Sequence, residues 1–310
     1  MAAGRLPSAI PGIVIRSMTI LHVVDAFTDR PFAGNPAAVW TGAGPADESW
    51  MRLVAREMNL SDTAFAHPLE AGGFALRWFT PAAEVRLCGH ATLATAFVLW
   101  ETGVLPAGAP ARFHTLSGEL TCVREKEWIA MDCPAGRCEP LAAPPGLSTA
   151  LGVEPVFCGT DGTDLLVELG NEAAVRALRP DLGRIAGLPF RGVIATGRAD
   201  GRPFDFVSRF FAPAVGVDED PVTGSAHCTL GPYWAAKLGR NALTAFQASA
   251  RGGGVTVEVR GECVVLRGRA VLVSPPRSCA ATRTRTAASS PSAPTCTAPA
   301  TSPASTRTAT

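Results

Sequence analysis

The sequence is short of net charge, of long apolar runs and of the cysteine patterns that bind metals. Its 310 residues carry a formal net charge of +1, which gives no reason to expect binding to nucleic acid or to an anionic membrane surface. No apolar stretch approaches the roughly 20 residues that cross a bilayer. Nine cysteines are present, but none forms a C-x-x-C pair, and no cysteine and histidine set has the spacing of a zinc site.

Nucleotide-binding and export signals are also missing. Neither the glycine fingerprint of a dinucleotide-binding fold nor a P-loop occurs, so we expect no cofactor and no metal. Residues 1–17 hold two arginines and no acid, and their short apolar part is interrupted by Pro7 and Pro11. This is not typical of a secretory signal, although a weak transit peptide or an upstream start codon would also fit. We therefore expect a cytoplasmic protein with reduced thiols.

The composition changes sharply near the end of the sequence. Of the 37 residues in 274–310, 31 are Ser, Thr, Pro or Ala, and none is acidic. Such a segment cannot bury an apolar core, so the composition predicts a disordered tail. A frame-shifted terminus would explain the same composition. The chain as a whole is 47% hydrophobic, which is ample for one large or two medium globular domains.

Two segments of the sequence recur in the same order. Arg77–Val85, RWFTPAAEV, matches Arg209–Val217, RFFAPAVGV, without gaps. Cys88–Ala96, CGHATLATA, then corresponds to Thr223–Gly231, TGSAHCTLG, after a three-residue insertion. The repeat predicts a chain that folds as two similar halves. A site between such halves would receive a helix N terminus from each, and free backbone N–H groups at helix N termini bind anions and carboxylates.

Local patterns place several elements around these repeats. Ala91–Trp100 is apolar on every side, which indicates a helix buried all round rather than one on a surface. Asp47 precedes apolar residues at helical spacing and is a plausible N-cap. Alternation of apolar and polar residues predicts strands over 113–120 and 127–131. A short helix over Asn171–Leu178 is also expected.

Four longer motifs follow one another in a fixed order: residues 18–39, MTILHVVDAFTDRPFAGNPAAV; 59–65, NLSDTAF; 77–96, RWFTPAAEVRLCGHATLATA; and 208–234, SRFFAPAVGVDEDPVTGSAHCTLGPYW. With them the chain resembles the PhzF-like, or phenazine-biosynthesis-like, family over about residues 18–273. The resemblance implies an α+β fold similar to that of diaminopimelate epimerase. In that fold two pseudo-symmetric halves each wrap a curved, mostly antiparallel sheet or barrel around a central helix, and the active site lies in the cleft between them. The expected organisation is an N-terminal extension, 1–17, the two halves, 18–135 and 136–273, and the tail, 274–310.

The resemblance also implies three catalytic residues. Asp62 stands where the family's N-L-S-E-T motif has its proton-shuttling Glu, so the carboxylate is kept but its reach is one methylene shorter. His90 matches the histidine of G-H-x-T, and Asp220 matches the second-half acid that helps to bind the polar groups of the substrate. Each residue also has a purely structural interpretation. Asp62 would cap a strand start, His90 would be a satisfied core histidine, and Asp220 would form an Asp-Pro turn.

Three further residues are implied as substrate-binding groups. Gly89, Gly224 and Ser225 would offer backbone N–H groups and a hydroxyl to a substrate carboxylate. Their structural interpretation is tight packing at the two helix starts.

Cys88 leaves a rival mechanism open. In epimerase-like folds a thiol at this place works with a second thiol at the place of Thr223, and a threonine hydroxyl is far too weak an acid or base to replace it. A one-thiol epimerase or dehydratase remains as an alternative, although Cys88 is more simply interpreted as a small buried hydrophobe.

The sequence therefore predicts a cofactor-independent isomerase that moves a proton on a small carboxylate-bearing substrate. A non-catalytic small-molecule-binding or interaction protein is the alternative from another class. No nucleic-acid or membrane partner is expected, and a homodimer is common among proteins of the resembling family.

Overall fold

Strand pairing dominates the architecture of this computed structural model, which describes residues 20–201 and 203–273. In that part of the chain, eighteen strands are linked by hydrogen bonds into one sheet, with six α-helices between them. The expectations for residues 1–17 and for the tail, 274–310, lie outside the described residues. The structure is thus mixed and sheet-dominated, as the resemblance implied. Among the described residues, no helix is long and apolar enough to span a membrane.

Strands and helices alternate along the chain, and each is numbered in chain order. The strands are β1 (Leu21–Ala26), β2 (Asn35–Thr41), β3 (Asp62–Pro68), β4 (Phe74–Phe79), β5 (Glu84–Val85), β6 (Ala111–Thr115), β7 (Gly118–Glu125), β8 (Trp128–Pro134), β9 (Glu139–Pro140), β10 (Phe157–Thr160), β11 (Leu165–Glu168), β12 (Val193–Arg198), β13 (Phe206–Ala212), β14 (Val217–Asp220), β15 (Ala242–Gln247), β16 (Gly253–Arg260), β17 (Cys263–Gly268) and β18 (Ala270–Leu272). The helices are α1 (Glu48–Met58), α2 (Gly89–Glu101), α3 (Leu147–Leu151), α4 (Glu172–Ala177), α5 (Leu182–Ala186) and α6 (Gly224–Leu238).

One order of strand pairings occurs twice. From β1 to β8 the neighbours pair antiparallel (β1–β2), parallel (β2–β3), antiparallel (β3–β4), parallel (β4–β6) and then antiparallel twice. From β10 to β17 the same sequence of pairings recurs. In both series a short strand, β5 or β14, pairs antiparallel just before the long helix α2 or α6. The repeat in the amino-acid sequence thus has a counterpart in topology.

Three pairings connect the two series. β8 pairs antiparallel with β17, which makes the sheet continuous. β9, which follows β8, pairs with β10, the first strand of the second series. β18, which follows β17, pairs with β1, the first strand of the first series. The register of the last pairing sets Val24 opposite Leu272.

Helix α2 is buried on nearly every side, as its apolar sequence predicted. It packs against β1, β2 and β3, and its two threonines occupy the core without leaving their hydroxyls unpaired. Thr92 donates to the carbonyl of Cys88 and Thr95 to that of Ala91, each one helical turn back. Intrahelical bonds of this kind let small polar side chains enter an apolar core at low cost.

The ends of the shorter elements agree with the sequence only in part. Asp47 caps α1 through its side chain, and Asn171 caps α4, so both helix starts were correctly predicted. The single strand expected over 113–120 is wrong. Chain reversal separates β6 from β7 there, because Gly118 adopts a φ of 99°, a left-handed conformation that glycine tolerates.

A close approach in α6 gives a stability prediction. A Cβ atom added to Gly231 would lie 2.5 Å from Cγ1 of Val257 on β16, so Gly231→Ala should lower the free energy of unfolding by about 1–3 kcal/mol through overpacking. Gly254→Ala is the matched control, because a Cβ there meets no atom within 4 Å. Denaturant titrations of both variants measure the difference, and equal midpoints would show that the helix shifts freely to make room.

Candidate active site

The N termini of α2 and α6 meet at a pair of glycines. A Cβ on Gly89 would lie 3.5 Å from the Cα of Gly224, and the reverse distance is also 3.5 Å. The residues preceding them, Cys88 and Thr223, have extended backbones, and no side-chain hydrogen bond from either caps its helix. The partial positive charges of the two helix starts therefore face one small region. Such a region favours an anion.

Asp62 brings a buried carboxyl group to this region. It begins β3, is 8% exposed and pairs in register with Ala37. Its Oδ2 accepts a hydrogen bond from the Cys88 thiol at 3.1 Å and lies 3.8 Å from Nε2 of His90. Its Oδ1 is buried and has no partner among the described residues. The carboxyl group thus retains an oxygen for an incoming group.

An amide links the histidine to the second acid. Nδ2 of Asn35 lies 3.2 Å from Nδ1 of His90 and donates to Oδ1 of Asp220 at 2.8 Å and to the carbonyl of Val222 at 2.9 Å. Two oxygen acceptors fix the orientation of this amide, because the flipped form would set oxygen against oxygen. These two acceptors take both hydrogens of the amide, and Nδ1 of His90 lies beside the same nitrogen. Asn35 therefore connects the His90 ring to the Asp220 carboxylate.

A second network holds the turn before α6. Thr223 donates its hydroxyl to Oδ2 of Asp220 at 2.5 Å. Gln247, fully buried on β15, donates to the backbone carbonyl of Asp220 at 2.7 Å and accepts from the backbone N–H of Thr223 at 2.8 Å. These bonds fix both the carboxylate and the start of the helix. Asp220 therefore both belongs to the Asp-Pro turn and brings its carboxylate to the site.

Burial sets the protonation of the three predicted catalytic residues. It raises the pKa of Asp62 to about 7, against a smaller lowering by the Cys88 hydrogen bond and with a further increase from the charge of Asp220. It also raises the pKa of Asp220 to about 6, although the hydrogen bonds from Thr223 and Asn35 oppose the increase. The pKa of His90 falls to about 3 because its ring is desolvated. Near neutral pH the site therefore holds a neutral imidazole and a carboxyl group able to take or give a proton.

Ser225 lies beside an arginine. Its Oγ accepts a hydrogen bond from Nη2 of Arg191 at 3.2 Å. The same guanidinium forms a two-point ion pair with the buried carboxylate of Asp164, with Nε donating to Oδ1 at 2.9 Å. A cation therefore stands next to the start of α6, where the sequence indicated only backbone N–H groups and a hydroxyl.

Similarity to known proteins identifies the family of this chain. Residues 24–275 match the family described as phenazine biosynthesis-like protein, PhzC-PhzF. The chain belongs to the PhzF family. Among its relatives, a protein of Pseudomonas aeruginosa named as an uncharacterized isomerase is 52% identical over 257 residues, which is 82% of this chain and 96% of that protein. An uncharacterized isomerase of Halalkalibacterium halodurans is 47% identical over 256 residues, with the same coverage of the two chains.

Solved structures show the same family. A PhzF family protein of Enterococcus faecalis is 40% identical, has a TM-score of 0.78, and aligns with 82% of this chain and 96% of its own. The expected enzyme class, an isomerase, is confirmed by these PhzF family relatives. Their names specify neither a substrate nor a mechanism, and the roles of the predicted site residues remain predictions.

The structure of this PhzF family member brings five of the six predicted residues into direct networks or contact. Asp62, His90 and Asp220 are joined through Cys88 and Asn35, and the two helix-start glycines touch. Ser225, on the next residue of α6, is tied to Arg191 instead. Sequence reasoning missed Asn35, Gln247 and Arg191 as site residues. Asn35 was visible in a matched motif, but the Gly-Asn-Pro run is equally typical of a turn.

Asp62, Cys88 and His90 also form the one group among the described residues with the composition of a metal site, their donor atoms lying within 4.8 Å of one another. Binding a cation there would require loss of the Cys88 proton, and burial together with the charge of Asp62 raises the pKa of that thiol well above its usual value. Both helices also direct their positive ends to this place. The arrangement therefore favours an anion, and the expected absence of a metal stays a prediction.

The raised pKa of Asp62 makes stability depend on pH. Its pKa is about 7 in the folded chain and 3.8 in the reference state, so the folded state binds more protons between these values, and stability falls as pH rises through that range. Asp62→Asn removes this loss, so the stability of the variant relative to the wild type should increase by about 2–3 kcal/mol from pH 5 to pH 8.

Urea titrations of the wild type and Asp62→Asn at the two pH values measure this change. Asp218→Asn, an exposed position on β14, serves as the control and should show no such dependence. A constant difference between the Asp62 variant and the wild type would mean that Asp62 is ionised throughout.

Proposed function

We propose that this chain is a cofactor-independent isomerase that moves a proton along one face of a small, carboxylate-bearing, unsaturated or cyclic substrate. The observation that carries the proposal is the buried Asp62 carboxyl group, with its pKa near 7 and a free oxygen, beside two helix N termini. A single group that must act first as base and then as acid works best when its pKa lies near the operating pH.

The proposed reaction has two proton transfers. Ionised Asp62 takes a proton from a substrate carbon, and the electron pair left behind spreads into the adjoining unsaturated system and carboxylate. The same carboxyl group, now neutral, returns the proton to another carbon as the double bond shifts. No atom is gained or lost, so neither an oxidant nor a second substrate is required.

The surroundings suit the charge that develops in the intermediate. Backbone N–H groups at the starts of α2 and α6, around Gly89 and Gly224, would bind the substrate carboxylate as negative charge builds on it. Ser225 would add its hydroxyl. Fixed dipoles of this kind stabilise the intermediate without reorganising during the reaction.

His90 and Asp220 would position the substrate rather than accept the proton. The imidazole is neutral at pH 7 because its pKa is about 3, so His90 would offer one N–H donor and one acceptor nitrogen beside Asp62. Asp220 is held by Asn35 and Thr223, and its carboxylate would accept from a polar substituent of the substrate.

The finer description of the fold belongs to the same proposal. We infer that the chain consists of two pseudo-symmetric halves, 18–135 and 136–273, with the site in the cleft between them. The repeated order of strand pairings and the contact between Gly89 and Gly224 support this inference. A homodimer and a cytoplasmic location remain predictions.

Exchange with deuterated water tests the role of Asp62. A panel of small unsaturated carboxylates is incubated with the wild type in deuterated water, and proton NMR follows the appearance of isomer and of deuterium at the reprotonated carbon. Asp62→Asn should abolish both, while Asp62→Glu, which restores the family's longer acid, should keep or raise the rate. Asp218→Asn should match the wild type.

Two results would contradict the proposal. Full turnover in Asp62→Asn would remove this carboxyl group from the mechanism. Carboxylate binding by an Asp62→Ala variant, with no turnover of the panel by the wild type, would favour a binding protein.

A thiol mechanism is the second candidate, and two contacts favour it. The Cys88 thiol lies between the acid and the imidazole, 3.1 Å from Oδ2 of Asp62 and 3.4 Å from Nδ1 of His90. Its interpretation as a small buried hydrophobe explains the burial but not these contacts. Because its pKa is raised well above the usual value, we assign Cys88 as a hydrogen-bond donor to Asp62 rather than as a base.

Cys88→Ala separates the two mechanisms. The variant should keep turnover, with the pKa seen in the pH–rate profile shifted upward, because the thiol hydrogen bond lowers the pKa of Asp62. It should lose about 1 kcal/mol of stability, which urea titration measures. Loss of turnover in a variant that keeps its fold would instead make the thiol the proton-transfer group.

A further inference from the structure

Arg191 is an anchored cation at the start of α6. Its Nε and Nη2 both donate to Asp164, which is 1% exposed, and its guanidinium carbon lies 5.5 Å from the centroid of the Phe210 ring. The arginine side chain itself remains 37% exposed. Among the described residues, no hydrogen bond engages its Nη1. The buried acid therefore holds the guanidinium in place and leaves one edge for a ligand.

The bond to Ser225 determines how that hydroxyl can be used. Oγ of Ser225 accepts from Nη2 of Arg191 at 3.2 Å, so its own proton points elsewhere. Among the described residues, this hydroxyl donates no hydrogen bond. The serine is thus set as a donor beside the first N–H groups of α6, and a neighbouring guanidinium polarises it.

Strand register places Arg191 one residue before the counterpart of Asp62. Phe65 on β3 pairs with Arg77 of β4, and Ala195 on β12 pairs with Arg209 of β13, the two arginines that match in the sequence repeat. Three residues before Phe65 stands Asp62, the first residue of β3, and three residues before Ala195 stands Gly192, which directly precedes β12. Arg191 is the residue before Gly192, so the acid and the cation enter the site from neighbouring positions at corresponding ends of β3 and β12.

We propose that Arg191, oriented by Asp164, is the positioning residue that makes the start of α6 selective for a carboxylate over a neutral amide. Its role is to hold Ser225 as a donor and to present Nη1 to the bound anion. The ion pair as a whole is neutral, but Asp164 engages only Nε and Nη2 of Arg191, and among the described residues Nη1 makes no hydrogen bond, so Nη1 is the part of the pair left to contact an anion. The inference rests on the proposed function, because it assigns the carboxylate of that substrate to the α6 side and its reacting carbon to the Asp62 side.

Binding of benzoate and of benzamide tests the assignment without requiring turnover. Isothermal titration calorimetry on the full chain compares the wild type with Arg191→Met. Benzoate should bind the variant at least tenfold more weakly, whereas the dissociation constant of benzamide, which has the same shape but no charge, should change less than twofold. A residue with a merely structural role would weaken both ligands together.

Two further variants keep the test decisive. Arg191→Met leaves Asp164 buried without its partner, so the double variant Arg191→Met/Asp164→Asn removes that charge as well and should show the same selective loss of benzoate. Arg198→Met, an exposed arginine at the far end of β12, should bind both probes like the wild type.

The outcomes separate this inference from the proposed function. If the wild type binds benzoate and the Arg191 variants bind it equally well, the assignment of Arg191 is wrong while a carboxylate site remains. Equal weakening of benzoate and benzamide would overturn it too. If the wild type binds neither probe, the carboxylate site itself fails and both proposals fall.

Discussion

The contact between the two helix starts is the constraint on which the rest of the site depends. A Cβ added to Gly89 or Gly224 would be in van der Waals contact with the Cα of the other, 3.5 Å away, so the two backbones lie close together and bring two sets of backbone dipoles to one small region. Like ends of dipoles repel, so the structure needs negative or neutral partners there. The Asp220 network, the neutral His90 and the partly protonated Asp62 provide them. The same burial that makes the site costly for charge gives Asp62 a pKa suited to proton transfer.

Much of this architecture was predictable from the sequence, because the strongest signals are local or repeated. The buried helix α2 follows from ten residues without a polar face, and the caps Asp47 and Asn171 follow from residue type and position. The paired motifs around Arg77 and Arg209 anticipated the repeated order of strands. The five-residue helices α3 and α5 were missed because one turn and a half carries no readable period.

The site was harder to predict where distant strands assemble it. Asn35 reaches Asp220 across 185 residues of sequence, and Arg191 reaches Ser225 across 34. Asn35 lies in a matched motif, but no motif shows which residue it contacts, and Arg191 lies in no motif, because register in a sheet depends on the whole set of pairings rather than on any one strand. Asp62, His90 and Asp220 could be named as candidates from the sequence, whereas the polar residues that hold them in place became visible only in three dimensions.

The strand exchange between the two series has a consequence for how the chain is made. β1, near the beginning of the described sequence, pairs on one side with β18, residues Ala270–Leu272, which are synthesised roughly 250 residues later. During translation the edge of β1 therefore stays unpaired until nearly the whole body has left the ribosome. An exposed strand edge can pair with other chains, so the nascent protein passes through a long interval of vulnerability to aggregation. Chaperone demand during synthesis should accordingly exceed what the stability of the finished fold would suggest.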